Sequence, residues 1–216
     1  MFKRITLTAI LLASVAITQA QTFRAGIEGA YNSTWLFNKN ISDAGESIDY
    51  KSTFGGQFGV SGVYNFKDVA GISFGLLFSS YNQKYSLKEQ FTGDKTEAEN
   101  KIKIIDIPVL FRYTSENGPY FEVGPQFGII SKGTFSGDGV DDRDYESDEI
   151  NSLNVSVQLG FGYDVKLSEK FTLVTGLRFG WGLSDVFKDD DSNNYEPTNT
   201  AAGGLHVGLH YNFSSN

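Results

Sequence analysis

The sequence predicts an all-β chain, an eight-stranded antiparallel up-and-down transmembrane β-barrel. Three observations lead there. From Thr22 onward, apolar side chains alternate with small or polar ones at a period of two. Most of the alternating runs are 10 to 16 residues long, whereas a soluble strand usually has about 5–6 residues and a tilted membrane strand needs about 9–11. The connections between runs alternate short and long, as they do when one rim of a barrel carries turns and the other carries external loops.

Residues 1–20 come first and read as an exported leader. Lys3 and Arg4 supply a basic start, Ile5 to Ile17 an apolar stretch, and Thr18 and Ala20 the small residues of a cleavage site. The stretch is too short for a spanning helix, which needs roughly 20 apolar residues. The barrel domain is therefore expected over 21–216, beginning almost directly in its first strand. That leaves no separate plug or periplasmic module, and so argues against receptor-type energy-coupled transport.

Eight runs follow, near 22–31, 53–66, 70–85, 101–113, 120–131, 152–167, 171–183 and 202–213. The first carries Arg24 and Glu28 on its polar stripe. In the second, Phe54, Phe58, Val60, Tyr64 and Phe66 alternate with Gln57, Gly59, Ser61 and Asn65. A short turn, Lys67-Asp68-Val69, leads into the third. The fourth and fifth hold Asp106, Arg112, Glu122 and Gln126 and are joined through Asn117-Gly118-Pro119. Pro108 and Pro125 interrupt these two runs, and because proline removes a ladder hydrogen bond, bulges or near-rim positions are expected there. The sixth alternates Leu153, Val155, Val157, Leu159, Phe161, Tyr163, Val165 and Leu167 with Asn154, Ser156, Gln158, Gly160, Gly162 and Asp164. After Ser168-Glu169-Lys170 the seventh carries Arg178. The eighth sets Leu205, Val207, Leu209, Tyr211 and Phe213 against Gly204, His206, Gly208, His210 and Asn212.

In a membrane barrel the apolar stripe faces lipid and the polar stripe faces the lumen. Aromatic residues at the run ends form two expected girdles: Phe23, Phe66, Tyr113, Phe121, Phe171 and Phe213 at the short-turn rim, and Tyr31, Trp35, Phe54, Tyr81 and Trp181 at the other. The inward set contains Arg24, Arg112 and Arg178 against Glu28, Asp106, Glu122 and Asp164, with Gln57, Gln126, Asn154 and Gln158. An eight-stranded lumen is just filled by side chains, so these charges should pair and plug it. If Thr114 pairs with Tyr120 across its turn, Arg112 lies directly opposite Glu122.

Composition narrows the function. With no Cys among 216 residues there is no disulfide scaffold, thiol nucleophile or Cys-bound metal. The formal net charge of -8 argues against nucleic acid as partner, and a mean hydropathy of -0.24 excludes a bundle of membrane helices. Without residues 1–20 the chain keeps 16 basic side chains (18 less Lys3 and Arg4) against 26 acidic ones, a net of −10. All of that excess falls in the four long connections, 38–52, 84–101, 132–151 and 184–201.

Candidate chemistry is sparse. His206 and His210 share a strand face but lie about 13 Å apart, too far for one metal, and they face the lumen rather than acyl chains. The acidic run Asp138-Gly139-Val140-Asp141-Asp142-Arg143-Asp144, with Glu146, Asp148 and Glu149, and the triplet Asp189-Asp190-Asp191 could hold calcium or bridge to lipopolysaccharide through divalent cations. Their spacing does not match a calcium-binding loop, and solvated loop surface is the plainer reading. No catalytic, cofactor-binding or metal residues are assigned and no cofactor is expected.

The segment Ile105 to Tyr113, with Gly118-Pro119-Tyr120-Phe121-Glu122-Val123-Gly124-Pro125-Gln126-Phe127-Gly128 after it, resembles the central hairpin of PorT-like outer-membrane β-barrel proteins. Gly176-Leu177-Arg178-Phe179-Gly180-Trp181-Gly182-Leu183-Ser184-Asp185 is similar to that family's penultimate strand. The resemblance implies an eight-stranded barrel in the outer membrane of a Gram-negative bacterium, and through the family's namesake an accessory role beside a protein-secretion system. Ser214-Ser215-Asn216 after Phe213 depart from the usual terminal aromatic. The expected protein is a non-enzymatic, monomeric envelope barrel in contact with outer-membrane lipid and lipopolysaccharide, with an envelope or secretion-complex protein as the implied partner. The alternatives are a narrow solute channel and a lipid-modifying enzyme.

Overall fold

The computed structural model describes residues 22–43, 48–88, 95–188 and 195–213. The expected leader, the Asp189-Asp190-Asp191 triplet and Ser214-Ser215-Asn216 lie outside the described residues. The strands in chain order are β1 (Thr22–Asn38), β2 (Ile48–Lys51), β3 (Thr53–Asn65), β4 (Ala70–Lys88), β5 (Lys95–Thr114), β6 (Pro119–Gly137), β7 (Val140–Asp144), β8 (Leu153–Lys166), β9 (Phe171–Gly182) and β10 (Thr198–Asn212), with a short helix α1 (Lys39–Asp43) after β1. Eight of them close a ring in which β1 pairs β3, then β4, β5, β6, β8, β9 and β10 follow, and β10 returns to β1, every pair antiparallel. The expected architecture is the observed one. In addition, β2 pairs β4 and β7 pairs β6 above the ring.

Paired residues define the stagger. From Thr22 the ladder runs through Asn65, Gly71, Arg112, Glu122, Gly160, Arg178 and Gly204 to Asn32, ten residues further along β1. Ten residues at about 3.4 Å give about 34 Å of slip along the strands, against about 38 Å across eight strands spaced about 4.8 Å apart. The strands therefore tilt about 41° from the barrel axis, inside the 35–45° usual for such barrels. At that tilt each residue climbs about 2.6 Å, so about ten residues cross a 25 Å apolar band. β4, β5 and β6, with 19, 20 and 19 residues, run well past it on the side of the long connections.

The alternation has its expected cause. Ile27, Phe58, Phe78, Val109, Phe127, Leu159, Phe179 and Leu205 point outward and are exposed, while the intervening residues fill the interior. Tyr81 is a correction to the outer girdle. On β4 the outward positions are even-numbered (Phe74, Leu76, Phe78), and Tyr81 points inward with 5% exposure. The prolines are a second correction. Neither sits at a rim or in a bulge; the ladder skips two pairs beside each, at Gly75–Leu76 against Ile107–Pro108 and at Val109–Leu110 against Gly124–Pro125, without changing register. The one register shift between β5 and β6 lies at Lys103/Ile104.

Candidate functional site

The lumen is the place where buried polar groups converge, and it is layered. Nearest the short turns, six charged side chains form one continuous chain. Arg24 donates to Asp164; Asp164 also accepts from Arg112 at 2.7 Å. Arg112 bonds Glu122 at 3.1 Å, Arg178 Nη2 bonds Glu122 at 2.7 Å, and Arg178 Nη1 bonds Glu28 at 2.7 Å. Signs alternate along the chain, so three arginines and three carboxylates cancel. The Arg112–Glu122 pair is the one the hairpin register predicts. Pairing and hydrogen bonding are what make such burial tolerable, since an isolated ion in a dry interior costs several kcal/mol.

Tyr120 lies beneath the Arg112 guanidinium, 3.5 Å from its ring centroid, and its hydroxyl bonds His206 Nε2 at 2.7 Å. Room for that ring comes from Gly162 and Gly176, which face each other across β8 and β9; a Cβ at either would meet the Tyr120 hydroxyl at 2.5 or 2.4 Å. His210 Nε2 bonds Ser61 Oγ at 2.8 Å. Both histidines are 1% exposed and inward, as parity predicts, and neither reaches the lipid face.

The middle layer is uncharged except for Asp106. Gln57, Gln126, Asn154 and Gln158 are all buried there. Asp106 accepts from Gln57 Nε2 and the Tyr81 hydroxyl, each at 3.3 Å, and its other oxygen has no hydrogen-bond partner among the described residues. It is the seventh lumen charge and stands outside the six-membered chain.

An apolar cap closes the mouth on the side of the long connections. Leu36, Tyr81, Ile102, Ile104, Ile130 and Val186 form one buried cluster, with Ile150 and Phe187 packed against it. The segment after β9 is held in place by Asn151 N–H donating to Val186 O at 2.9 Å and by a bridge between Ile150 and Phe187. Sequence reading missed this cap because Leu36 and Val186 lie in segments that look like polar connections, while Tyr81, Ile102, Ile104 and Ile130 sit at the ends of strand runs whose inward stripe is otherwise polar. The usable signal is the inward parity of Ile102 and Ile104 and the apolar pair Val186-Phe187 beside an acidic run. Among the described residues, cavities of about 10 Å³, room for about one water each, lie in the charged and middle layers on either side of Arg178.

Of the seven acids in 138–149, three are engaged through their side chains within the chain. Asp138 accepts from Glu97 N–H, Glu149 from Arg143 and Glu146 N–H, and Asp144 from Lys132 and Thr134. The bonds from Lys132 and Thr134 hold the Asp144 carboxyl below the ordinary aspartate range. Among the described residues no three acids or histidines come together as a metal site.

A profile of the family described as "Outer membrane protein beta-barrel domain" matches residues 19–188, more than half of the chain. The chain belongs to that family. The match agrees with the closed eight-stranded ring and locates this family member in the outer membrane. No curated protein matches the chain. Among solved structures, Ail, the attachment invasion locus protein of Yersinia pestis, is 14% identical over 88% of this chain and 99% of its own, with a TM-score of 0.42. Neisserial surface protein A is 15% identical over 90% and 100%, with a TM-score of 0.42. The outer membrane protein AlkL in lipid bilayers is 14% identical over 92% of both chains, with a TM-score of 0.44.

Proposed function

We propose that this outer-membrane barrel is closed, works as a monomer without catalytic chemistry, and serves the envelope as a structural or accessory protein through its external surface. The observation that carries the reading is the filled lumen. A neutral chain of six charges spans its lower part, and an apolar cluster around Val186 covers its mouth. A channel needs a continuous wet path, which Arg112 and Glu122, 2% and 0% exposed, obstruct. A lipid-modifying enzyme needs its catalytic groups where acyl chains approach, and both histidines face the other way.

In this reading residues 1–20 direct export and are removed, and the long connections face the cell exterior. The resemblance of the β5–β6 hairpin to PorT-like proteins favours an accessory subunit beside a secretion or other envelope complex. Cross-linking in intact cells, mild-detergent extraction and identification of co-purifying chains test it. A stoichiometric envelope protein is the expected result, and recovery of the barrel alone would overturn the accessory role.

A further inference from the structure

The external connections are acidic as a whole, yet their charge is sorted by height. Because the ladder climbs ten residues in eight strands, points of equal height on neighbouring strands are offset from paired residues by about 1.25 positions. On that scale Ser33, Phe54, Phe78, Ile105, Ile129, Val155 and Trp181 share one level, about 25 Å above the Phe23 level at the short-turn rim. That level is the upper edge of the lipid-facing band.

On the outward face of the β2–β4–β5–β6 sheet, the charged residues directly above that edge are lysines. Lys103 sits directly across from Lys132, and Lys51 across from Lys84; Lys101 lies two residues above Lys103 on β5. At about 2.6 Å per residue these five lysines stand about 5–12 Å above the edge. Lys101, Lys103 and Lys132 are exposed. The first acids on this face, Asp49, Glu99 and Asp144, stand higher, about 14–16 Å above the edge; Glu99 and Asp144 tie back to Lys101 at 3.1 Å and Lys132 at 2.7 Å. The opposite sector presents Trp181 and Leu183 at or just above the edge and Trp35 and Phe37 about 5–10 Å above it, all exposed and none charged.

Two like charges directly across a strand pair repel, and this face holds two such pairs beside a molecule of net charge -8. Asp144 offsets Lys132 and Glu99 offsets Lys101, whereas among the described residues no acid pairs with Lys51, Lys84 or Lys103, and an anion at that height would offset these three. The head-group layer of a bilayer is about 5–8 Å thick on each side of its hydrocarbon. Lys103 stands within it and the other four at or just above its outer boundary, within reach of a flexible lysine side chain. Lysines near the surface are attracted to anionic lipid by about 1 kcal/mol each.

We propose that Lys51, Lys84, Lys101, Lys103 and Lys132 form a docking face for the phosphate groups of the outer-leaflet glycolipid, lipid A, on one side of the barrel. The occupant is a lipid rather than a folded protein, because the lysines sit at the border of the lipid-facing strands, where a protein would have to displace head groups. The acids above keep the outer end of the sheet free of that lipid. The inference rests on the orientation proposed above, which labelling of the connection 138–149 from outside intact cells tests separately.

The test is native mass spectrometry of the folded barrel in detergent, offered bisphosphorylated lipid A or its dephosphorylated form. The unaltered protein should retain the bisphosphorylated form about tenfold better or more. Lys101→Gln, Lys103→Gln and Lys132→Gln together should remove that preference. Lys67→Gln, Lys166→Gln and Lys170→Gln together, the same charge change at the short-turn rim, should leave it intact. Equal retention of both lipids by the unaltered protein, or equal loss in the two triple variants, would overturn the proposal. Should the first triple variant not fold, the two-lipid comparison on the unaltered protein decides alone.

Discussion

Glu122 is the joint of the charged chain and gives the sharpest test of it. It is 0% exposed and accepts four hydrogen bonds: from Ser73 at 3.1 Å, Arg112 Nη1 at 3.1 Å, Arg178 Nε at 2.9 Å and Arg178 Nη2 at 2.7 Å. Glu122→Gln keeps the shape but leaves the chain with one excess positive charge and turns an amide N–H₂ toward a guanidinium. Breaking a buried pair from one side costs about 3–5 kcal/mol, and this loss should appear as a lower urea midpoint of the folded barrel in lipid vesicles. Arg112→Gln alone should cost a similar amount. The two together should cost much less than their sum, because they leave two neutral pairs standing, Arg24–Asp164 and Arg178–Glu28. A double-mutant cycle therefore predicts a coupling of about 2–3 kcal/mol. Additive losses, or a Glu122→Gln cost below about 1 kcal/mol, would refute the claim that the six charges act as one compensated chain.

Asp106 has no cation beside it, so Asp106→Asn should fold normally with an unchanged or higher urea midpoint; a loss like that of Glu122→Gln would show that the residue has an ionic partner. Gly176→Ala places a methyl 2.4 Å from the Tyr120 hydroxyl and 2.5 Å from the Phe161 carbonyl oxygen, and should cost about 1–3 kcal/mol in the same assay. The barrel as a whole predicts heat-modifiable migration: on a detergent gel the unboiled protein should run differently from the boiled one, and a single heat-insensitive band would contradict a closed β-barrel.

What was legible in the sequence follows from where the bilayer acts. Each spanning segment has one lipid face and one lumen face, so the period-two pattern is strong between the girdles and the ring could be read strand by strand. Above the membrane the outward face of β4, β5 and β6 turns polar with Lys84, Lys101, Lys103 and Lys132, and the apolar-out alternation fades. The runs expected to end near 85 and 131 and to begin near 101 extend instead to Lys88 and Gly137 and from Lys95. The short strands β2 and β7 escaped notice for the same reason. Arg112 against Glu122 could be derived because a tight turn sets that register. The Arg24–Asp164 and Arg178–Glu28 links could not, since they depend on ring closure and on the ten-residue stagger, which no local pattern encodes. Tyr81 shows the opposite error: its place near a strand end suggested a girdle, whereas parity with Phe74, Leu76 and Phe78 already put it inside.

In the proposed function this outer-membrane barrel is closed from within, and single-channel recording tests that closure most directly. Purified barrel reconstituted into planar bilayers should give no steady conductance steps in molar salt, because the Arg112–Glu122 belt and the cap over Leu36, Ile102 and Val186 leave no continuous water path. Uniform, long-lived conductance steps from protein that also passes the heat-shift test would contradict the closed lumen and favour a channel.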